Sequence, residues 1–230
     1  MNGYRHVYLY HVRKTAGTAL NHCFFSLSGE EPAALYRRLT ASRGDFAIAG
    51  DKIFVIWNKE LIERGYFHYA ASHYPMHEIA LPPGTFTITC LRDPVDRMIS
   101  LYRMYLDLAQ DEGNAPAWFF RERHWMGDSF SDFLERLPRE MVQQQLYMFS
   151  RSFDVDEAIA NVASCSHVMV MEEFTKGLEQ LNTKLGLRLP NVAGVRKSEA
   201  TFEPTRPELA GLRRMVSAED KLVRWVRTRP

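Results

Sequence analysis

Apolar positions along this chain switch repeatedly between a strand-like and a helical spacing. Val7, Tyr8, Leu9, Tyr10 and Val12 form a nearly continuous run of β-branched and aromatic residues, which predicts a buried strand. Tyr69 to Ser72 and Thr85 to Leu91 read the same way, and Val168 to Met171 predicts a further, central strand. Between these runs apolar residues recur every three or four positions. The spacing predicts helices over Thr18–Ser26, Glu31–Thr40, Pro94–Gln110, Phe130–Leu137, Arg139–Ser150, Asp156–Ala163 and Phe174–Leu185, with a C-terminal pair from Pro207. Asp93 is a good N-cap, and Pro94 suits the first helical position after it. The stretch from Asp45 to Trp57 predicts a hairpin around Gly50-Asp51. Leu178, Leu181 and Leu185 make a stripe able to cover the Val168–Met171 strand, while Leu222, Trp225 and Val226 mark the apolar side of an exposed, basic last helix. Alternation of this kind predicts an α/β fold whose central parallel β-sheet is flanked by helices.

Composition narrows the class without deciding it. With 230 residues, 46% hydrophobic and 25% charged, the chain can bury a substantial core, and no linker or repeat divides it, so one domain over residues 1–230 is expected. A net charge of +1 argues against a globally basic nucleic-acid binder, so attraction for an anion must come from local clusters. Cys23, Cys90 and Cys165 are too widely spaced for a zinc ribbon and sit in apolar surroundings, which predicts buried free thiols. No apolar run approaches the roughly 20 residues of a bilayer span and no leader segment is evident, so a cytoplasmic chain without a membrane span is expected. Composition is silent on oligomeric state.

The candidate chemistry begins where the first strand ends. Arg13-Lys14-Thr15-Ala16-Gly17-Thr18 supplies two cations, two hydroxyls and a glycine just before a helix, whose first backbone N–H groups lack intrahelical acceptors and favour an anion. A nucleotide-triphosphate loop of the GxxxxGK[ST] type needs glycines ahead of the lysine, and none precedes Lys14. The stretch reads either as a phosphate loop of another lineage or as a plain β-turn-helix with a solvated Arg-Lys pair. Arg92, at the carboxyl end of the Thr85–Leu91 strand, and Ser100, two helical turns further on, offer a second anion site. Ligands of open α/β sheets bind outside the carboxyl ends of strands, so Lys14 and Arg92 are expected on one rim, suited to a ligand with two separated phosphates.

On these two stretches the chain resembles the sulfotransferases that use 3'-phosphoadenosine 5'-phosphosulfate (PAPS), particularly the carbohydrate branch that includes the heparan 2-O-sulfotransferases. HVRKTAGT, from His11 to Thr18, is similar to the family's HIPKTGGT, and Leu91 to Tyr102 is similar to LRDPVxRxxSxY. The resemblance implies a P-loop-like three-layer fold, with Lys14, Thr15, Gly17 and Thr18 on the 5'-phosphosulfate and Arg92 and Ser100 on the 3'-phosphate. Arg13 and Ala16 stand where the family has proline and glycine; both belong to the same loop, and Arg13 offers an extra anion contact. Asp154 to Leu187 resembles the family's helix, strand, Glu-Glu-Phe and helix segment. Arg196 and Lys197 in NVAGVRKSEA resemble a late loop that closes over the nucleotide, and read equally as a solvated basic loop. Leu106 to Ser150 matches no motif, although the cationic and aromatic Arg121 to Trp125 would suit sugar stacking or an anionic acceptor, and Gln143, Gln144 and Gln145, candidates to line the acceptor cleft, read mostly as helix surface.

The activity this implies is transfer of a sulfuryl group from PAPS to an acceptor hydroxyl, saccharide favoured, leaving 3'-phosphoadenosine 5'-phosphate (PAP) and requiring no metal. Lys14 would compensate the leaving charge. Of His68, His73 and His77, His73 is the chosen base, because it follows the Tyr69–Ser72 strand and an imidazole suits proton removal near neutrality. His11 reads as a support. A magnesium-dependent P-loop kinase and a non-catalytic nucleotide- or glycan-binding module are the alternatives.

Overall fold

The computed structural model describes residues 3–41, 46–192 and 198–228. A six-stranded sheet organises them, with strands β1 Val7–Tyr10, β2 Phe46–Ala49, β3 Lys52–Ile56, β4 Tyr69–Ser72, β5 Phe86–Leu91 and β6 His167–Val170. The order across the sheet is β2-β3-β4-β1-β5-β6. All neighbours pair in parallel except β2 and β3, which form the antiparallel hairpin expected around Gly50-Asp51. The Val168–Met171 stretch was expected at the centre, but β6 is an edge strand: the connection from β4 to β5 steps over β1, and β6 then adds outside β5.

The helices are α1 Gly17–Phe25, α2 Pro32–Ala41, α3 Lys59–Glu63, α4 Pro94–Gln110, α5 Ala117–Glu122 and α6 Phe130–Arg136. They are followed by α7 Arg139–Val142, α8 Gln144–Tyr147, α9 Val155–Ala163, α10 Phe174–Leu185, α11 Arg206–Met215 and α12 Ser217–Arg227. Strand alternation sorts the sheet's side chains onto two faces. Val7, Leu9, Ile88 and Met169 pack with Leu20 and Phe24 of α1, Leu39 of α2, and Leu178, Leu181 and Leu185 of α10. Tyr8, Tyr10, Ala70 and Leu91 pack on the other face with Leu146 of α8, Val162 of α9, and Leu222, Val223 and Val226 of α12. Each such Leu or Phe, once fully buried, contributes about 1.5–3 kcal/mol, which explains why β1, covered on both sides, has no polar position. A third cluster beside the sheet joins Met98, Leu101 and Tyr105 of α4 to Phe119 of α5, Phe130 and Phe133 of α6, and Leu212 of α11.

Local signals account for the clean helix boundaries. The Asp93 side chain accepts from the N–H groups of Val95 and Asp96 at the start of α4, and Gly186 ends α10 in the left-handed conformation. The last helix is less exposed than its charge suggested, because Val223 joins Leu222 and Val226 in the core and Glu219 is fully buried. The predicted Arg139–Ser150 helix is broken at Gln143, whose backbone (φ −111, ψ 42) separates α7 from α8. All three cysteines are buried and free, and among the described residues no helix is long and apolar enough to cross a membrane.

Candidate active site

Three adjacent central strands, β4, β1 and β5, deliver the candidate residues to one rim, because their carboxyl ends lead into His73, the 11–16 loop and Arg92. Arg92 Nη1 donates to the carbonyl oxygen of Lys14 (3.3 Å), so the two motifs meet directly. Lys14 and Ala16 both have left-handed backbones (φ 69 and 68), which folds the loop tightly before α1. Sustaining that conformation at two non-glycine residues costs on the order of 1–3 kcal/mol each and marks the loop as structurally constrained. Gly17, Thr18 and Ala19 open the helix, with N–H groups that have no intrahelical acceptor.

His11 explains the glycine. Its buried ring lies against residue 17 so closely that a Cβ there would stand 1.9 Å from His11 Cδ2 and 2.0 Å from Nε2. Burial, with His73 and Arg13 adding to it, holds the His11 imidazole well below its ordinary range, so it is a neutral packing element under the loop. The His73 ring packs against that of His11 at a tilt of 41° (4.5 Å between centroids), and its Nδ1–H donates to the His11 carbonyl oxygen (2.5 Å). That bond fixes the tautomer and leaves Nε2 as the ring's proton acceptor. Burial and the Arg13 charge push the His73 pKa down to about 4, against the opposing effects of the His11 carbonyl and Glu122. Trp57 stacks with the same ring at 6.0 Å between centroids.

Arg13 points away from a simple anion contact. Its guanidinium makes a bidentate pair with Glu122 of α5 (2.8 and 3.1 Å), lies 5.4 Å from the Trp118 ring, and shares Glu122 with the Tyr105 hydroxyl (2.6 Å). Burial opposes the Arg13 charge, but Glu122 and Tyr105 more than offset it and raise its pKa; burial likewise opposes the Glu122 carboxylate, which Arg13 lowers. Thr15 is also turned inward, since its buried hydroxyl donates to the carbonyl of Val12 (3.0 Å). Burial lowers the Arg92 pKa, while Asp96, Glu172 and Asp93 work in the opposite direction.

Ser100 is half-buried on α4, on the helical face it shares with Arg103 and Asp107. The guanidinium of Arg103 donates to the Phe202 carbonyl (2.6 and 3.1 Å), and Asp107 accepts from the Ala200 N–H (2.7 Å) and the Ser198 hydroxyl. The segment that follows the predicted late basic loop is therefore tied to the helix of Ser100; Arg196 and Lys197 themselves lie outside the described residues. His68 and His77 are elsewhere. His68 Nδ1 accepts from the Ile53 N–H at the opposite end of β3, and His77 packs against Tyr147.

Four contributors escaped the sequence reading. Gln144 Oε1 accepts from the Arg13 N–H (3.0 Å), and Gln145 brackets Arg92, accepting from its N–H (2.7 Å) and donating to its carbonyl (3.0 Å). Both glutamines are buried, contrary to the expected helix surface. Glu122 lies within the marked Arg121–Trp125 stretch, whose charge was the available signal, and Glu172 of the Glu-Glu-Phe element accepts from the Asp93 N–H (2.8 Å). With both of its backbone groups taken by Gln145, Arg92 turns its guanidinium toward the Lys14 carbonyl, in the loop that leads into the N-terminus of α1. No cluster of three or more His, Cys, Asp or Glu side chains able to hold a metal ion occurs among the described residues. The sequence matches no protein-family model, and no curated protein matches it.

Proposed function

We propose that this protein is a sulfotransferase that moves a sulfuryl group from PAPS to an acceptor hydroxyl, with a saccharide-containing acceptor favoured, on a P-loop-like fold. One observation carries the reading: the 13–18 loop, the Arg92 guanidinium and the Nε2 side of His73 lie at the carboxyl ends of three neighbouring strands, with Arg92 bonded to the Lys14 carbonyl. A nucleotide phosphorylated at both its 3' and 5' positions fits two anion sites so joined, one built from helix N–H groups and Lys14, the other from Arg92 with Ser100.

In the reaction the acceptor oxygen attacks sulfur while the bond from sulfur to the 5'-phosphate oxygen breaks. His73 Nε2 takes the acceptor proton. Lys14 and the α1 N–H groups compensate the charge left on the phosphate, and PAP departs. A neutral imidazole with Nδ1 occupied is in the correct state for this step at neutral pH. The inward Thr15 hydroxyl favours this reading over a kinase, whose loop hydroxyl must reach a magnesium ion.

Thermal unfolding with PAP, or with ATP and magnesium, separates the readings. At a 100-fold excess over Kd, PAP is expected to raise Tm by roughly 5–10 °C. Stabilisation by ATP-magnesium alone would establish the kinase, and PAP binding without sulfuryl transfer to any of a panel of glycans and alcohols would establish a binding module. Lys14→Ala and Arg92→Ala are expected to lose PAP binding. His73→Ala should keep it while turnover falls about 10²–10⁴-fold.

A further inference from the structure

We propose that Gln144 and Gln145 are positioning residues, a paired clamp that sets the spacing between the two phosphate sites; this rests on the sulfotransferase reading. Two consecutive side chains of α8 reach different motifs: Gln144 holds the Arg13 N–H at the mouth of the first loop, and Gln145 holds both backbone groups of Arg92. Neither glutamine reaches a ligand by itself, as Gln145 has no exposed surface and Gln144 only 8%. Their effect is to fix Arg92 relative to the loop whose Lys14 carbonyl it touches.

The break at Gln143 is what makes the clamp possible, and a buried ion pair stabilises the break. In a continuous helix the Gln145 N–H would donate to the Met141 carbonyl. Instead it donates to Glu219 Oε1 (2.6 Å), while Arg97 Nη2 donates to the carbonyls of Met141 (3.1 Å) and Val142 (2.5 Å) and lies 3.5 Å from Glu219 Oε2. Arg97 and Glu219 thus satisfy the backbone groups that the interrupted helix leaves open. Both are fully buried, and α12, which brings Glu219, becomes part of the rim's support.

The two members of the clamp act on different ends of the nucleotide, which gives a crossed test with PAP and adenosine 5'-phosphate, which lacks the 3'-phosphate. Gln145→Met keeps the side chain's length and removes its hydrogen bonds. It is expected to weaken PAP about tenfold and adenosine 5'-phosphate by less than about twofold. Gln144→Met, acting through the shared 5' site, should weaken both ligands by the same factor. A merely structural defect would lower the two ligands in parallel for Gln145→Met, and that result overturns the proposal. Gln145→Asn, which shortens the reach by one methylene, gives the same comparison if the Met variant does not fold. Failure of the unsubstituted protein to prefer PAP over adenosine 5'-phosphate would count against the sulfotransferase reading instead. The clamp then stands or falls on hydrogen exchange in the ligand-free protein: the Arg92 amide should exchange faster in the Gln145 variants, and unchanged exchange refutes it.

Discussion

The contact between His11 and Gly17 shows how a short motif can be a packing constraint as much as a set of ligand contacts. The imidazole fills the space that a side chain at residue 17 would need, and it is held from behind by His73. Gly17→Ala is expected to cost about 1–3 kcal/mol through overpacking. Adding His11→Ala should recover part of that loss, since the new methyl group then has room; strictly additive urea-unfolding energies in the double-mutant cycle would remove the packing explanation. His73 supplies a second prediction at this scale. It must be neutral to accept a proton, and with a pKa near 4 in the free protein its acid limb in kcat/KM is expected near pH 4, with a plateau above it. Arg13 is one cause of that depression, so Arg13→Ala should move the limb upward, stopping short of the ordinary value of about 6.5 because burial persists. Titration of the His73 ring by NMR reads the same shift without turnover, and an unmoved or lowered pKa would contradict it.

At the scale of elements, the informative case is the helix that failed to continue. Arg97→Leu or Glu219→Leu alone is expected to destabilise by about 3–5 kcal/mol, because each leaves an unpaired charge buried among backbone groups that lose their partner. The double variant should cost less than the sum, as measured by denaturant midpoints at constant m-value; full additivity would mean that the pair does not act as a unit. Nothing near Gln143 in the sequence announces this break, since the residues that stabilise it are about 45 positions earlier and 75 later. Elements whose causes are local were legible: Asp93-Pro94 opens α4, Gly186 closes α10, and Gly50-Asp51 turns the β2–β3 hairpin. Strand order was not, because the alternation that identifies β6 says nothing of which side of β5 it joins. The same division runs through the site. Lys14, Arg92 and His73 stand out by residue type at strand ends, whereas Glu122 and the two glutamines acquire their roles through contacts with Arg13 and Arg92, more than 50 residues away in the chain.

For the whole molecule, the depressed histidines have a common consequence for stability against acid. His11, His73 and His167 are held neutral mainly by burial, His73 and His167 with pKa values of about 4 and His11 well below its usual 6.5. Unfolded, each returns to about 6.5, so between pH 6.5 and 4 the unfolded chain binds more protons than the folded one. Their contribution is therefore complete above pH 6.5 and is lost as pH falls toward 4. At pH 5.5 the three would release the folded state with an uptake of nearly three protons, a slope of about 3–4 kcal/mol per pH unit. Glu219 works against this, because burial raises its carboxyl pKa above the ordinary value, so its own contribution shifts toward the folded state as pH falls. The net slope should consequently lie below that figure. His167 is the useful control: it is buried beside α10, with Nε2 2.9 Å from the Gly177 carbonyl, and lies apart from the rim. His167→Leu should remove about one proton from the uptake and flatten the curve by roughly a third, while leaving PAP binding intact. Unfolding free energies measured from pH 7.5 to 5 test both statements, and a flat profile over that range would mean that these imidazoles already carry their protons in the fold.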